Sequence, residues 1–182
     1  TPLLTGAQKS IMNYTAGGAL AVTVPTGLAQ SAATSTISGA EIDLTGNSVA
    51  IASTILLPSG KLVVNATNDI AIGGSGRIDL SGQPSMIQKA TVYGFGGTAI
   101  FNSSQGGFTQ AAGSVIDVSA TNASAGSISI SAGSGAVSFG GRLAGSATGN
   151  NTSGDFSVTA ASMSSTDFAA LNALLTQGGL FD

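Results

Sequence analysis

Four glycines, Gly60, Gly97, Gly126 and Gly154, each open a similar short phrase, and the spacing of those phrases restricts the possible folds more than any other feature. The phrases are Gly60-Lys61-Leu62-Val63-Val64, Gly97-Thr98-Ala99-Ile100-Phe101, Gly126-Ser127-Ile128-Ser129-Ile130 and Gly154-Asp155-Phe156-Ser157-Val158, separated by 37, 29 and 28 residues. A recurrence of this length marks a repeat architecture, in which each unit buries its apolar face only by stacking on its neighbours.

Counted from each glycine, apolar residues fall into three clusters. The first holds Leu62/Val64, Ala99/Phe101, Ile128/Ile130 and Phe156/Val158. The second holds Ile70/Ile72, Phe108 with Gln110 breaking the pattern, and Val137/Phe139; the third holds Ile78/Leu80, Ile116/Val118 and Leu143. Alternation with period two inside each cluster is the signature of a half-buried strand. Between the clusters lie Gly73, Gly74 and Gly76, then Gly106 and Gly107, then Gly140 and Gly141, expected to supply positive-φ corners. Three short strands and three corners in a turn of roughly 28 residues predict an all-β, right-handed parallel β-helix, a solenoid. A sandwich would instead need hairpin turns every 8 to 12 residues or so.

The rhythm fails in two places. The turn that starts at Gly60 is too long, and the excess, residues 84–95, reads as a lateral insertion that either folds back over a face of the solenoid, the preferred reading, or presents an exposed apolar patch. Residues 165–176 follow helical spacing through Phe168, Leu171, Leu174 and Leu175, with Ser165 as cap, Asp167 in the first turn and Gly178 as terminator. Upstream, Ile37, Ile42/Leu44, Val49/Ile51 and Ile55/Leu57 predict one more turn with looser corners, and place Ile42, 28 residues before Ile70, in that residue's column. Residues 1–33 are expected to form lead-in strands, including one over residues 19–25, and residues 34–182 the solenoid turns, all in one domain. With no charged or proline-rich cap at either end, both terminal turns are expected to expose bare sheet edges. Thr1 is not a natural start, so the chain reads as the middle of something longer.

Composition narrows the functions. Charged residues are 7% of the 182 and the net charge is −3 with five basic residues, which leaves no electrostatic footprint for nucleic acid. Absence of cysteine excludes disulfides and thiolate metal sites, and absence of histidine removes the commonest general base and metal ligand. No apolar run is long enough to span a membrane as a helix, so no membrane insertion is expected.

The motifs that carry chemistry are weak. Residues 73–81 approach a calcium-binding nonapeptide, but Asp79 falls one place late and no tandem copy follows. Asp79 and Asp117 are expected to stack on adjacent turns, with Asp43 in another column and Ala144 in the next place. Two neighbouring carboxylates suit polysaccharide cleavage, yet no His, Lys or aromatic platform accompanies them, so they read as solvated outward aspartates. Sequons at Asn13, Asn65, Asn102, Asn122, Asn150 and Asn151 are expected by chance in so Ser/Thr-rich a chain. Thr34-Ser35-Thr36 is a single Thr-x-Thr, too little for an ice-binding face. No catalytic, cofactor-binding or metal-binding residue is assigned, and none of these features calls for an enzyme or a cofactor.

The phrases at residues 57–62, 112–120, 125–130 and 167–173, in that order and with the helical interruption, resemble the central repeats of filamentous-haemagglutinin-family exoproteins over about residues 35–182. That resemblance implies a very large Gram-negative surface protein, secreted through an outer-membrane partner that engages a domain outside this chain. The chain itself would be an internal shaft segment. The expected function is therefore the structural shaft of a secreted adhesin or filament on the extracellular face of the cell, meeting a host, neighbouring-cell or polysaccharide surface. End-to-end self-association through bare turns is a further expectation. The alternatives are the stick of a contact-dependent toxin-delivery protein and a polysaccharide-acting enzyme.

Overall fold

A computed structural model describes residues 10–24 and 38–180. Thr34-Ser35-Thr36, Ile37 and most of the lead-in region lie outside the described residues. Across the described residues the chain is an all-β molecule with one helix. It begins with β1 (Ile11–Thr15) and β2 (Leu20–Thr23), followed by β3 (Glu41–Gly46), β4 (Val49–Ala52) and β5 (Thr54–Leu56). The next passage is β6 (Lys61–Ala66), β7 (Ile70–Ile72) and β8 (Arg77–Asp79), interrupted by β9 (Pro84–Ile87) and β10 (Ala90–Tyr93). Then come β11 (Thr98–Ser103), β12 (Phe108–Gln110), β13 (Val115–Asp117), β14 (Ser127–Phe139), β15 (Arg142–Ala144), β16 (Asp155–Ser162) and α1 (Ser165–Gly178).

Apart from the β9–β10 pair, every strand pairing is parallel, and the strands form three ladders. The first ladder runs β1-β3-β6-β11-β14-β16, the second β2-β4-β7-β12-β14 and the third β5-β8-β13-β15. Strand β14 is long enough to turn a corner and serve the first two ladders, which joins them into one ten-stranded sheet. The sequence clusters fall in register: Leu62 with Ala99, Ile128 and Phe156; Ile70 with Phe108 and Val137; Ile78 with Ile116 and Leu143. Parallel strands covered on one face want β-branched and aromatic side chains inward, and the repeat supplies them.

The upstream turn differs from expectation. Ile42 pairs with Leu62 in the first ladder rather than with Ile70, whose partner is Val49. This passage has tighter corners and is shorter than the roughly 28-residue period, so matching at fixed spacing shifts it by one column.

The core lies between the ladders. Leu62, Val64, Ile78, Leu80, Ala99, Phe101 and Ile116 are fully buried. Four phenylalanines run through it as a chain of rings: Phe101 to Phe108 at 5.2 Å and Phe108 to Phe139 at 5.7 Å, both tilted, and Phe139 to Phe156 edge-on at 5.9 Å. Gln110, the break in the apolar pattern, nevertheless points inward in register with Ile72 and Phe139 and is 1% exposed. Its Nε2 donates to the Arg142 carbonyl at 3.2 Å, while its Oε1 finds no partner.

The anchoring glycines are required for a reason other than the one expected of the corners. None of Gly60, Gly97, Gly126 and Gly154 has positive φ, and neither do Gly73, Gly74, Gly76, Gly106, Gly107, Gly140 and Gly141; the positive-φ glycines among the described residues are Gly39, Gly113, Gly149 and Gly179. What matters is close approach. The Gly60, Gly97 and Gly126 carbonyls accept from Thr98, Ser127 and Asp155 at 2.9, 3.0 and 3.1 Å, so each glycine lies directly over the peptide of the one before. A methyl on Gly126 would sit inside the van der Waals sphere of the Gly97 oxygen, and one on Gly60 would lie 2.6 Å from the Ala40 oxygen.

The insertion does not fold back. Strands β9 and β10 pair as an antiparallel hairpin whose residues are all exposed, Met86 to 72%, and Phe95 just beyond it to 66%. Gln88 and Lys89 form its tip, both with positive φ, although neither is glycine. The two faces of the hairpin each carry apolar groups, so no rotation toward the body would bury both.

Helix α1 runs two residues past its expected end. Its cap is Ser164 rather than Ser165: the Ser164 hydroxyl accepts from the Asp167 amide at 3.0 Å and contacts the Asp167 carboxylate. Gly179, with φ 65°, closes the helix, its amide reaching back to the Leu175 and Thr176 carbonyls. The helix packs on β14 and β15, with Leu171 and Leu180 buried and Leu174 and Leu175 half-buried against the core. The Gly145 amide donates to the Gly178 carbonyl at 2.8 Å. The helix thus covers the core beside β14 and β15, whereas β16, the last strand of the first ladder, pairs only with β14 among the described residues, so the expected bare edge persists there. At the opposite end a cleft of about 490 Å³ is lined by Tyr14, Leu20, Val22, Ile42, Leu44 and Ile55 among others.

Candidate functional site

Asp79 and Asp117 are in register on β8 and β13, and Ala144 follows on β15. Their carboxylates are occupied locally. Asp79 Oδ1 accepts from the Ser81 amide at 3.2 Å and the Ser81 hydroxyl at 2.6 Å, and Asp117 Oδ1 accepts from the corresponding groups of Ser119 at 2.9 and 2.6 Å. Asp79 Oδ2 also meets Arg77 Nη2 at 3.1 Å. Each aspartate therefore ties down the corner that follows its strand, as an Asx turn does. Replacing Asp117 with alanine is expected to cost about 1 kcal/mol of stability, read from the denaturation midpoint, because the Ser119 amide and hydroxyl lose their acceptor.

The calcium-like stretch forms a turn closed by the Gly76 amide on the Gly73 carbonyl at 2.8 Å, and Asp79 faces Arg77 and Ser81 as described. Among the described residues no cluster of three or more His, Cys, Asp or Glu side chains is arranged to hold a metal. Asp43 projects from β3, one of its oxygens buried and without a hydrogen bond among the described residues. Its neighbour Lys61 bonds Glu41 at 2.8 Å, and that bond, helped by the Glu41 and Asp43 charges against the cost of burial, holds the ammonium above its ordinary range.

The arrangement that sequence reasoning missed is on the outer face of the first ladder. Thr45, Asn65, Asn102, Ser131 and Thr159 stand in register on β3, β6, β11, β14 and β16. Asn102 Nδ2 donates to Asn65 Oδ1 at 2.9 Å, and at the adjoining corner Asn68 Nδ2 donates to Asn47 Oδ1 at 3.0 Å. Thr45, Asn65, Asn102 and Ser131, with Thr67 and Ser104 beside them, line a groove of about 430 Å³ that contains no charged side chain. Its floor is anchored by the buried Ser103, whose hydroxyl donates to the Asn68 carbonyl at 2.6 Å and accepts from the Gly106 amide at 3.1 Å. The signal was available: each member of the row lies five residues after its glycine, or after Ala40 where alanine takes that place.

Comparison of the chain with family models, with curated proteins and with solved structures returns no match.

Proposed function

We propose that the chain is a right-handed parallel β-helix segment that serves as the structural shaft of a secreted bacterial surface adhesin or filament of the filamentous-haemagglutinin type. The observation that carries this reading is the unbroken register of the first ladder, in which the inward row Ile42, Leu62, Ala99, Ile128 and Phe156 continues from strand to strand whatever the length of chain between them. A wall built this way lengthens by adding rungs, each resting on the last, at about 4.8 Å per rung. Its exterior of Ser, Thr and Asn suits a surface that stays hydrated with little charge.

Duplicating one rung, residues 98–126, tests the shaft. The enlarged chain should fold cooperatively and grow in a single dimension by about 4.8 Å per added copy in small-angle scattering. Growth in all dimensions, or failure to fold, would overturn it. Antibodies against the exposed hairpin, residues 84–93, should label intact source cells; labelling confined to lysed cells would refute the surface location.

A further inference from the structure

We propose that the groove across β3, β6, β11 and β14 binds an uncharged polysaccharide chain laid along the row of Thr45, Asn65, Asn102 and Ser131. The setting rests on the shaft reading, but the site stands on its own geometry.

The chemistry of the lining selects the ligand class. Every polar side chain in the groove is a hydroxyl or a carboxamide. An anionic or cationic ligand would give up hydration with no opposite charge to meet it. Nucleic acid needs phosphate-neutralising cations, which the groove lacks. An apolar ligand would strip water from amides and hydroxyls without replacing their hydrogen bonds. A peptide added as an extra strand needs a free strand edge, whereas β6 is paired on both sides, to β3 and β11, and β11 to β6 and β14. A neutral polymer dense in hydroxyls satisfies this lining, because each sugar hydroxyl both donates and accepts, as the amides and hydroxyls of the wall do.

The groove is also prepared for such a ligand. The Asn102–Asn65 bond orients both amides and leaves the Asn65 Nδ2 hydrogens and Asn102 Oδ1 for a further partner. Ser104 is turned by its bond to the Thr67 carbonyl at 3.2 Å. The Thr45 and Ser131 hydroxyls make no hydrogen bond to other described residues and are open to a ligand. The row repeats every 4.8 Å or so, close to the length of one pyranose unit, so successive sugars meet equivalent groups on successive rungs. The cavity of about 430 Å³ is in the range of small-ligand sites, roughly 300–1,000 Å³, and takes a few sugar rings. No aromatic platform lines it, so a single groove binds weakly, and many grooves on one surface supply the grip.

Titration of the chain with chitohexaose, maltohexaose and cellohexaose, followed by amide chemical shifts, tests the proposal, with a heparin hexasaccharide as sulfated control. At least one neutral hexasaccharide should shift the resonances of residues 45, 65, 102 and 131. The double variant Asn65→Ala/Asn102→Ala should weaken that binding about tenfold or more, the size expected on losing two hydrogen-bonding amides. Asn151→Ala, outside the groove, should leave it unchanged. Thr45→Val removes a hydroxyl that bonds no other side chain or backbone group among the described residues, and it should weaken binding without moving the denaturation midpoint. Absence of binding by all three neutral sugars, stronger binding of heparin, or binding indifferent to both groove variants would overturn the proposal. Rung duplication reads the shaft separately, so a rod that ignores sugars refutes the groove alone.

Discussion

Replacing Gly126 with alanine is expected to destabilise the fold by about 3 kcal/mol or more, at the upper end for forcing an extra group into a packed site. The added methyl meets the Gly97 carbonyl oxygen and the Gly96–Gly97 backbone, not the end of a flexible side chain that can move aside. Relief would require separating two rungs at the point where the Ser127 amide bonds the Gly97 carbonyl at 3.0 Å. Gly17→Ala is the matched control. Nothing lies within 4 Å of a methyl there and φ is not positive, so alanine should be neutral or add up to about 1 kcal/mol by restricting the unfolded chain. Urea denaturation of both variants decides the matter: similar midpoints would mean that the glycine stack is not a steric requirement.

Phe108→Ala is expected to cost about 4 kcal/mol, the usual loss for a buried aromatic cut to alanine. Phe108 is the link between Phe101 and Phe139, so its removal breaks ring contacts on two ladders and leaves a cavity that strands held at both edges cannot collapse to fill. Phe168 offers the contrast, since it is 65% exposed on α1 and its truncation should change the midpoint by less than about 0.5 kcal/mol. Near-equal losses from the two substitutions would show that the ring chain does not hold the rungs together.

Most of the strand pattern was legible because a side-chain period of two, repeated at a nearly constant interval, leaves little freedom in choosing which residues stack. Leu62, Ala99, Ile128 and Phe156 could be aligned by counting from their glycines. The same counting failed at Ile42, where the passage to the next rung is short and Ala40 stands in the glycine's place. The role of the corner glycines was not legible, because a sequence does not distinguish a residue needed for positive φ from one needed where two backbones touch. Both demand the absence of a Cβ.

Composition also did not reveal which way the insertion points. Met86, Ile87, Val92, Tyr93 and Phe95 have the content of a buried segment, yet their alternation across a two-stranded ribbon puts apolar groups on both faces. The paired aspartates stack as their spacing implies, but their role in the corner was not legible, because only the hydrogen bonds to Ser81 and Ser119 reveal them as its fasteners. The polar row escaped notice because Asn, Ser and Thr differ in identity from rung to rung and coincide only in register.

The Gly94 amide donates to the Gln83 carbonyl at 3.2 Å, so the chain leaves the wall and rejoins it at almost one point. What lies between is topologically a side branch: its length can change without altering the phase of any ladder on either side. The wall keeps time by its rungs, and the hairpin is off the clock. A lineage could lengthen, shorten or replace that branch while leaving the register of the three ladders as it is.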